Sequence, residues 1–286
     1  MRKVLVLVVM ALASPALAAT YYVSSSTGDD GNQGTQAQPW KTFGGAGNHV
    51  NGGSFAAGDT VLLKRGDVWN ESLIPPTSGS SGSPITFDAY GTGAPPEISG
   101  KRDLSGWTLY SSNVWSAPVT SGSVAFAIFN SVWGQKQSAL GSILHARDFM
   151  LYNNALLVYA PSATDPSTYY GTVSAIVPLN SPGSDQGIYV NGKSWLTFQH
   201  IRLSWYENFG VYVAGASDHL VFANMEADGM VPAGNFPHGF YVNATNPAES
   251  VANREIVDEV KFKEGLSKVI DGTVECLNAS SWAPKP

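Results

Sequence analysis

The stretch Gly187-Ile188-Tyr189-Val190 recurs twice, as Gly210-Val211-Tyr212-Val213 and as Gly239-Phe240-Tyr241-Val242. The steps between the three copies are 23 and 29 residues. A unit of this size cannot bury its apolar side chains alone, so it must stack on copies of itself. The repeat therefore predicts parallel strands, one for each turn of the chain, with the three copies side by side.

A second set of strands lies between these copies. Leu196-Thr197-Phe198 is echoed 24 residues later by Leu220-Val221-Phe222, and Val61-Leu62-Leu63 and Ile85-Thr86-Phe87 are separated by the same step. Strand side chains alternate between two faces, so the tyrosine of each copy points outward when its aliphatic neighbours are inside. These tyrosines are Tyr189, Tyr212 and Tyr241.

The composition favours strands and restricts the partners. Only 13% of the residues are charged and 30 are glycine, which suits short strands joined by tight turns. The single cysteine, Cys276, excludes an internal disulfide. The formal net charge of −6 argues against nucleic acid as a partner, because its phosphates require a concentrated basic surface.

The first residues predict export. Arg2 and Lys3 precede an apolar run over residues 4–12, and Ala16-Leu17-Ala18 supplies the small residues of a cleavage site. We therefore expect a signal peptide over residues 1–18, cleaved near Ala18, and a secreted protein, either extracellular or periplasmic. No window approaches the roughly 20 apolar residues of a membrane-spanning helix, so no membrane span is expected.

The rest of the chain divides into a repeat region over residues 19–243, with an insertion at about 101–175, and a charged tail over 244–286. Weak helical spacing over Trp40–Val50 predicts a short N-terminal cap helix. Apolar residues between Val251 and Ile270 fall near helical spacing, which predicts a helical tail. The tail is interpreted either as a cap on the open end of the repeats or as a foreign segment of a truncated or fused gene.

Six motifs carry a family resemblance. They are Tyr21-Tyr22-Val23-Ser24, Gly28-Asp29-Asp30, Gly34-Thr35, Pro39-Trp40-Lys41-Thr42, Gly58-Asp59-Thr60-Val61 and Ser83-Pro84-Ile85-Thr86. In this order they resemble bacterial, secreted right-handed parallel β-helix proteins of the pectate-lyase-like superfamily. The resemblance implies an all-β fold of the right-handed parallel β-helix type. It also implies that the protein is a monomer and that its partner is a polysaccharide.

Proteins of this superfamily carry out several different reactions, so the fold alone does not identify the reaction. Relatives include polysaccharide lyases, glycoside hydrolases and surface proteins without enzyme activity. The stacked Lys or Arg base and calcium-binding carboxylates of the lyases have no counterpart here. No catalytic residue is therefore carried over, and no metal site or cofactor is evident. Calcium stays open as a cofactor, although no motif supports it.

Two carboxylates are the first catalytic candidates. Glu226 and Asp228 lie two residues apart on one predicted strand, so they point the same way with backbones about 6.6 Å apart. This is near the separation of about 6.5 to 9.5 Å that inverting glycosidases use. Arg202 lies 24 residues before Glu226 and directly beneath it in the stack, so a surface ion pair explains the glutamate equally.

The remaining candidates are a histidine and four aromatic residues. His238 ends the long loop before the third copy, where it serves either as a proton donor and acceptor or as a hydrogen-bonded turn residue. The substrate-binding candidates offer flat faces to sugar rings, or they stabilise neighbouring strands by cross-strand packing. They are Trp205, Tyr189, Tyr212 and Tyr241.

These observations lead to one main hypothesis and one alternative. The main hypothesis is a secreted carbohydrate-active protein of the lyase or glycoside hydrolase type, with Glu226, Asp228 and His238 as its catalytic residues. The alternative is a non-catalytic glycan-binding or surface protein, or an inactive fragment of one.

Overall fold

The structure is a computed structural model that describes residues 18–119, 124, 126–176, 186–206, 209–228, 238–244, 258–262, 266–270 and 273–277, with the backbone alone from residue 228 onward. The first strands in chain order are β1 (Thr20–Val23), β2 (Thr60–Lys64), β3 (Val68–Trp69), β4 (Ile85–Tyr90) and β5 (Glu97–Ser99). The all-β prediction is confirmed for the described residues, in which strands predominate.

A middle group of strands follows, which we call the insertion. It comprises β6 (Lys101–Asp103), β7 (Thr108–Ser111), β8 (Val114–Pro118), β9 (Phe126–Phe129), β10 (Val132–Trp133), β11 (Gln135–Lys136), β12 (Asp148–Tyr152), β13 (Ala155–Tyr159) and β14 (Val173–Ile176). A 3₁₀ turn covers Leu140–Ser142, and the helix α1 covers Pro166–Tyr170. Asp165 caps this helix by accepting the Ser167 and Thr168 N–H groups.

The last group returns to the first. It comprises β15 (Gln186–Asn191), β16 (Leu196–Gln199), β17 (Arg202–Ser204), β18 (Phe209–Gly215), β19 (Leu220–Asp228), β20 (His238–Ala244), β21 (Asp258–Phe262), β22 (Leu266–Ile270) and β23 (Thr273–Leu277). Strands β1 to β5 and β15 to β20 together form what we call the parallel body.

One curled parallel sheet dominates the parallel body. Its order is β1-β2-β4-β16-β19-β17-β5-β3, and β21 pairs with β19. Phe87, Phe198 and Phe222 lie in register across β4, β16 and β19 and stack at 5.1 Å between ring centroids. The three rings are buried, so a continuous aromatic stack forms the centre of the core.

The three repeated segments lie side by side, as the sequence predicts. Strands β15, β18 and β20 form a second parallel sheet in which Tyr189 is opposite Tyr212, and Tyr212 is opposite Tyr241. Ile188 and Val211 are completely buried, whereas Tyr189 and Tyr212 are only partly so. The alternation of inward aliphatic and outward tyrosine side chains is therefore confirmed for the first two copies.

Left-handed residues make the corners between strands. Trp195 and His200 have φ values of 57° and 57°, and the residues 24 positions later, His219 and Asn224, have 49° and 51°. A positive φ is uncommon for residues other than glycine and costs on the order of 1 kcal/mol. The Trp195 and His219 rings stack at 3.7 Å, and this contact between successive corners offsets part of the cost.

The insertion is a separate pair of sheets. One has the order β10-β9-β14-β6 and the other the order β11-β12-β13-β8-β7. Their shared core includes Phe129, Phe149, Leu156, Val158 and Val173, all buried. A second, smaller apolar cluster of Ile128 and Ile176 packs against Trp205 of the parallel body.

The prediction of an N-terminal cap helix is wrong. The segment Trp40–Val50 contains turns instead of a cap helix, because Gly47 and Asn48 adopt φ values of 84° and 45° that end any helical run. Its Phe43 and Val50 are nevertheless buried in the main core. In the tail, the described residues are the strands β21, β22 and β23, and the rest of the range 245–286 lies outside the described residues, so the helical tail stays a prediction. No helix among the described residues is long and apolar enough to cross a membrane.

A buried carboxylate stabilises the N-terminal turn and predicts a dependence of stability on pH. Asp67 accepts hydrogen bonds from the Ser24 hydroxyl at 2.7 Å and from the Ser26 N–H and hydroxyl at 3.1 and 2.7 Å. Burial raises the pKa of Asp67, but these hydrogen bonds outweigh it and leave the pKa lowered.

We expect this stabilisation to be complete above the unfolded pKa of about 3.9 and to be lost as the pH falls through the lower folded value. Asp67→Asn should lower the free energy of unfolding at pH 7 by about 1.5–3 kcal/mol. Urea unfolding between pH 7 and pH 2 checks this expectation. Identical pH profiles for the variant and the parent would contradict it.

Candidate functional site

Charged residues of opposite sign alternate along one column of the large sheet. Arg202 lies opposite Glu97 on one side and opposite Glu226 on the other. The Arg202 Nη1 is 3.7 Å from the Glu97 Oε2, and the backbone register continues from Glu226 to Lys261. The predicted placement of Arg202 directly beneath Glu226 is therefore confirmed.

The column continues into a hydroxyl cluster at the end of β17. The Ser204 hydroxyl donates to the Glu97 Oε1 at 2.5 Å and lies 3.1 Å from the Ser99 hydroxyl. Ser204 is in register with Asp228 of the neighbouring strand. Glu97 is thus a second carboxylate of this column, which the sequence analysis did not single out.

The predicted catalytic residues lie on two different sheets. Glu226 is half-buried on β19 of the large sheet, between the buried Met225 and Ala227. His238 begins β20 of the second sheet, opposite Phe209. The side chains of Asp228, His238 and Tyr241 lie outside the described residues, so the convergence of Glu226, Asp228 and His238 stays a prediction.

Trp205 does not stand alone on the surface. It follows β17 with a φ of 59°, and its ring lies 5.2 Å from the ring of Trp133 in an edge-to-face arrangement. Trp133 is 36% exposed and also contacts Phe126 at 5.8 Å. The insertion and the parallel body therefore each contribute one tryptophan to an aromatic pair at their junction.

Trp133 is a residue that the sequence analysis missed. It lies on a hairpin whose turn residues, Asn130 and Ser131, have φ values of 45° and 67°. Such a tight turn can be expected from Asn between two apolar runs. Its position beside Trp205 depends on how the insertion packs against the parallel body. This packing cannot be predicted from a local sequence pattern.

The outward tyrosines of the first two copies, Tyr189 and Tyr212, stack on each other, whereas the side chain of Tyr241 lies outside the described residues. Tyr189 and Tyr212 stack at 5.5 Å with their planes 20° apart, and Phe209 stacks on Tyr212 at 5.2 Å. Each stacking contact covers ring area that would otherwise face a ligand. Among the described aromatic contacts, the pair of Trp133 and Trp205 is therefore the better candidate for stacking with a sugar ring.

A cleft opens where the insertion meets the parallel body. Its volume is about 380 Å³. It is lined by Asn70, Arg102, Asp103, Leu104, Ser105, Pro118 and Val119. Clefts at junctions of this kind are common ligand sites, because they offer apolar and polar groups from two bodies.

Glu71, next to Asn70, has a perturbed carboxyl group. Burial and the charge of Asp30 raise its pKa, while hydrogen bonds from the Gly44 and Phe43 N–H groups and the charge of Arg102 lower it, and the net shift is upward. Both N–H groups donate to the Glu71 Oε2 at 3.0 Å. Perturbed carboxyl groups occur at functional sites and in structural networks alike.

The histidines of the corners make structural contacts. The His200 Nδ1 is 2.7 Å from the Asp88 Oδ1, and Gln199 donates to the other Asp88 oxygen at 2.7 Å. The His219 Nδ1 is 3.1 Å from an oxygen of Asp218. Across the described ranges, no cluster of three or more His, Cys, Asp or Glu side chains could hold a metal ion.

Comparison with known proteins finds similarity over part of the chain. No protein-family model matches it. A stretch of 77 residues is 43% identical to a lacto-N-biosidase of Bifidobacterium longum subsp. longum, covering 25% of this chain and 5% of that protein. A stretch of 70 residues is 37% identical to the uncharacterized protein YwoF of Bacillus subtilis, covering 24% of this chain and 14% of that protein.

Solved structures resemble the backbone over a longer range. XylC in complex with xylose has a TM-score of 0.50 and 13% identity over 79% of this chain and 53% of its own. The GH136 lacto-N-biosidase from Eubacterium ramulus has a TM-score of 0.41 and 20% identity over 81% of this chain and 31% of its own. At this level of identity, the similarity to XylC concerns the fold alone.

Proposed function

We propose that this chain is a carbohydrate-active protein that binds a polysaccharide on its outer surface beside Trp205. The observation that carries the proposal is the aromatic pair of Trp205 and Trp133, in which the Trp133 indole is 36% exposed and Trp205 directly follows Ser204, whose hydroxyl donates to Glu97 of the charged column. Indole faces match the apolar face of a pyranose, and the neighbouring charged and hydroxyl groups match its hydroxyls.

The local relationship to a lacto-N-biosidase supports the class of ligand. The parallel strands with steps of 23 and 24 residues support a right-handed parallel β-helix like that of the pectate-lyase-like superfamily. In this proposal the protein is secreted after cleavage near Ala18 and acts as a monomer.

Cleavage of the bound glycan is part of the main proposal. Glu226 and Asp228 on β19 act as the acid and base of a hydrolase, or one of them removes a proton in a lyase, and His238 assists proton transfer. The two-residue spacing on one strand supports a shared direction for both carboxylates.

Binding without cleavage is the second candidate function. The observation that favours it is the charge alternation of Glu97, Arg202 and Glu226, which accounts for the glutamate through neighbouring opposite charges.

Glu226→Gln separates these two functions. Under the main proposal the purified protein releases reducing sugar or unsaturated ends from one of pectate, alginate, chondroitin and xylan. The variant then loses at least about hundredfold in rate while its affinity for the glycan is retained. Asp29→Asn, in the exposed N-terminal turn, is the control and should keep the parental rate.

Turnover by the parent that Glu226→Gln leaves unchanged would contradict the catalytic role of Glu226. Binding without turnover on all four glycans would establish the second function. If the protein neither binds nor cleaves any of the four glycans, the proposal as a whole is contradicted.

A further inference from the structure

We propose that the cleft between the insertion and the parallel body binds an acidic saccharide, with the Arg102 guanidinium receiving the sugar carboxylate. This inference rests on the proposed function, because it specifies the charge of the sugar that a glycan-binding protein takes. It concerns a region that the sequence analysis did not consider as a site.

The residues that line the cleft match both the apolar C–H face of a sugar ring and its polar hydroxyl groups. Leu104, Pro118 and Val119 provide apolar contacts for the C–H face of a ring, and Asn70 and Ser105 provide amide and hydroxyl groups for its hydroxyls. The volume of about 380 Å³ lies within the range of small-ligand sites, which is about 300 to 1,000 Å³. The cleft can therefore accommodate a short oligosaccharide.

The charges within the cleft leave Arg102 available. The Lys101 Nζ is 3.6 Å from the Asp103 Oδ1, which also accepts the Ser174 hydroxyl at 2.6 Å, so these two charges offset each other. In the part of the chain that the structure describes, the Arg102 guanidinium has neither an ion pair nor a hydrogen bond. Guanidinium groups bind carboxylates through two parallel N–H donors, which makes a uronate the matching ligand.

The nearby Glu71 does not compete for this position. Its Oε2 is occupied by the N–H groups of Phe43 and Gly44, and the residue is not among those that line the cleft. The Glu71 carboxylate balances the charge of Arg102 at longer range. This lowers the free-energy cost of keeping a guanidinium in a partly apolar cleft and leaves the N–H donors of Arg102 for a ligand.

Matched acidic and neutral ligands test the inference. Oligosaccharides of pectate, alginate and chondroitin are titrated calorimetrically into the full chain, each beside its carboxyl-reduced counterpart. We expect at least one acid to bind about tenfold or more tightly than its reduced form, and Arg102→Gln to abolish this difference. Arg147→Gln removes the same charge from an exposed turn of the insertion and should preserve it.

Equal affinity for every acid and its reduced form would overturn the inference while leaving glycan binding intact. An equal loss with Arg147→Gln would overturn it as well, since general electrostatic attraction would then explain the preference. If none of the three acidic oligosaccharides binds, the inference is overturned as well. The proposed function is then tested separately, by the binding of xylan oligosaccharides and by the effect of replacing Trp133 on that binding.

Discussion

Replacing Phe198 by alanine is expected to lower the free energy of unfolding by about 3–5 kcal/mol. The ring is completely buried and stacks on Phe87 and Phe222, which lie on the two neighbouring strands of the large sheet. The substitution leaves a cavity that interrupts the stack, and neighbouring parallel strands cannot collapse into it without losing their register. Equilibrium urea unfolding of the purified variant measures the loss.

The neighbouring Thr197 provides the matched control. It lies on the same strand, is only partly buried and faces away from the core, so Thr197→Ala should cost less than about 1 kcal/mol. A loss of less than about 1 kcal/mol for Phe198→Ala as well would mean that the stacked rings do not form the core described above.

Replacing Trp133 by alanine is expected to weaken glycan binding about tenfold or more, which corresponds to about 1.4 kcal/mol. Trp133 is the more exposed partner of Trp205, so its removal takes away contact area without opening the main core. The affinity for the best ligand among oligosaccharides of pectate, alginate, chondroitin and xylan is measured by calorimetry.

Leu144→Ala is the control for this loss. Leu144 is 61% exposed on the insertion and does not belong to the aromatic pair, so the affinity of this variant for the glycan should not change. Because Trp205 also packs near Ile128 and Ile176, thermal unfolding of the Trp133 variant is recorded in parallel. Unchanged affinity for Trp133→Ala in a folded protein would remove the aromatic pair from the binding site.

The parallel register of the later strands could be predicted from the sequence because it depends on a repeated pattern. Between β2 and β4 the predicted step of 24 residues is wrong, because Val61 lies opposite Phe87 and not opposite Ile85. The copies around Tyr189, Tyr212 and Tyr241 pair as their spacing predicts, and Arg202 lies opposite Glu226 for the same reason. A repeat of about 24 residues places equivalent residues beside each other without any knowledge of loops.

Features that depend on individual backbone angles or on packing could not be predicted. The corners at Trp195 and His200 use positive φ values in residues that rarely adopt them, and the stacking of His219 on Trp195 supports the first of these corners. The helix predicted over Trp40–Val50 failed because its apolar residues reach the core from turns. Trp133 and Arg102 became candidates only through the contact between the insertion and the parallel body.

The indole N–H signals of ¹⁵N-labelled protein test the binding site most directly. Trp133→Phe and Trp205→Phe assign the two signals, and Trp69, which is 1% exposed and donates to the Lys41 carbonyl at 2.9 Å, serves as the internal reference. One of the four oligosaccharide types should shift the Trp133 and Trp205 signals together, with a single saturation curve, and leave that of Trp69 unchanged. If none of the four moves these two signals more than that of Trp69, the protein does not hold its glycan at this junction.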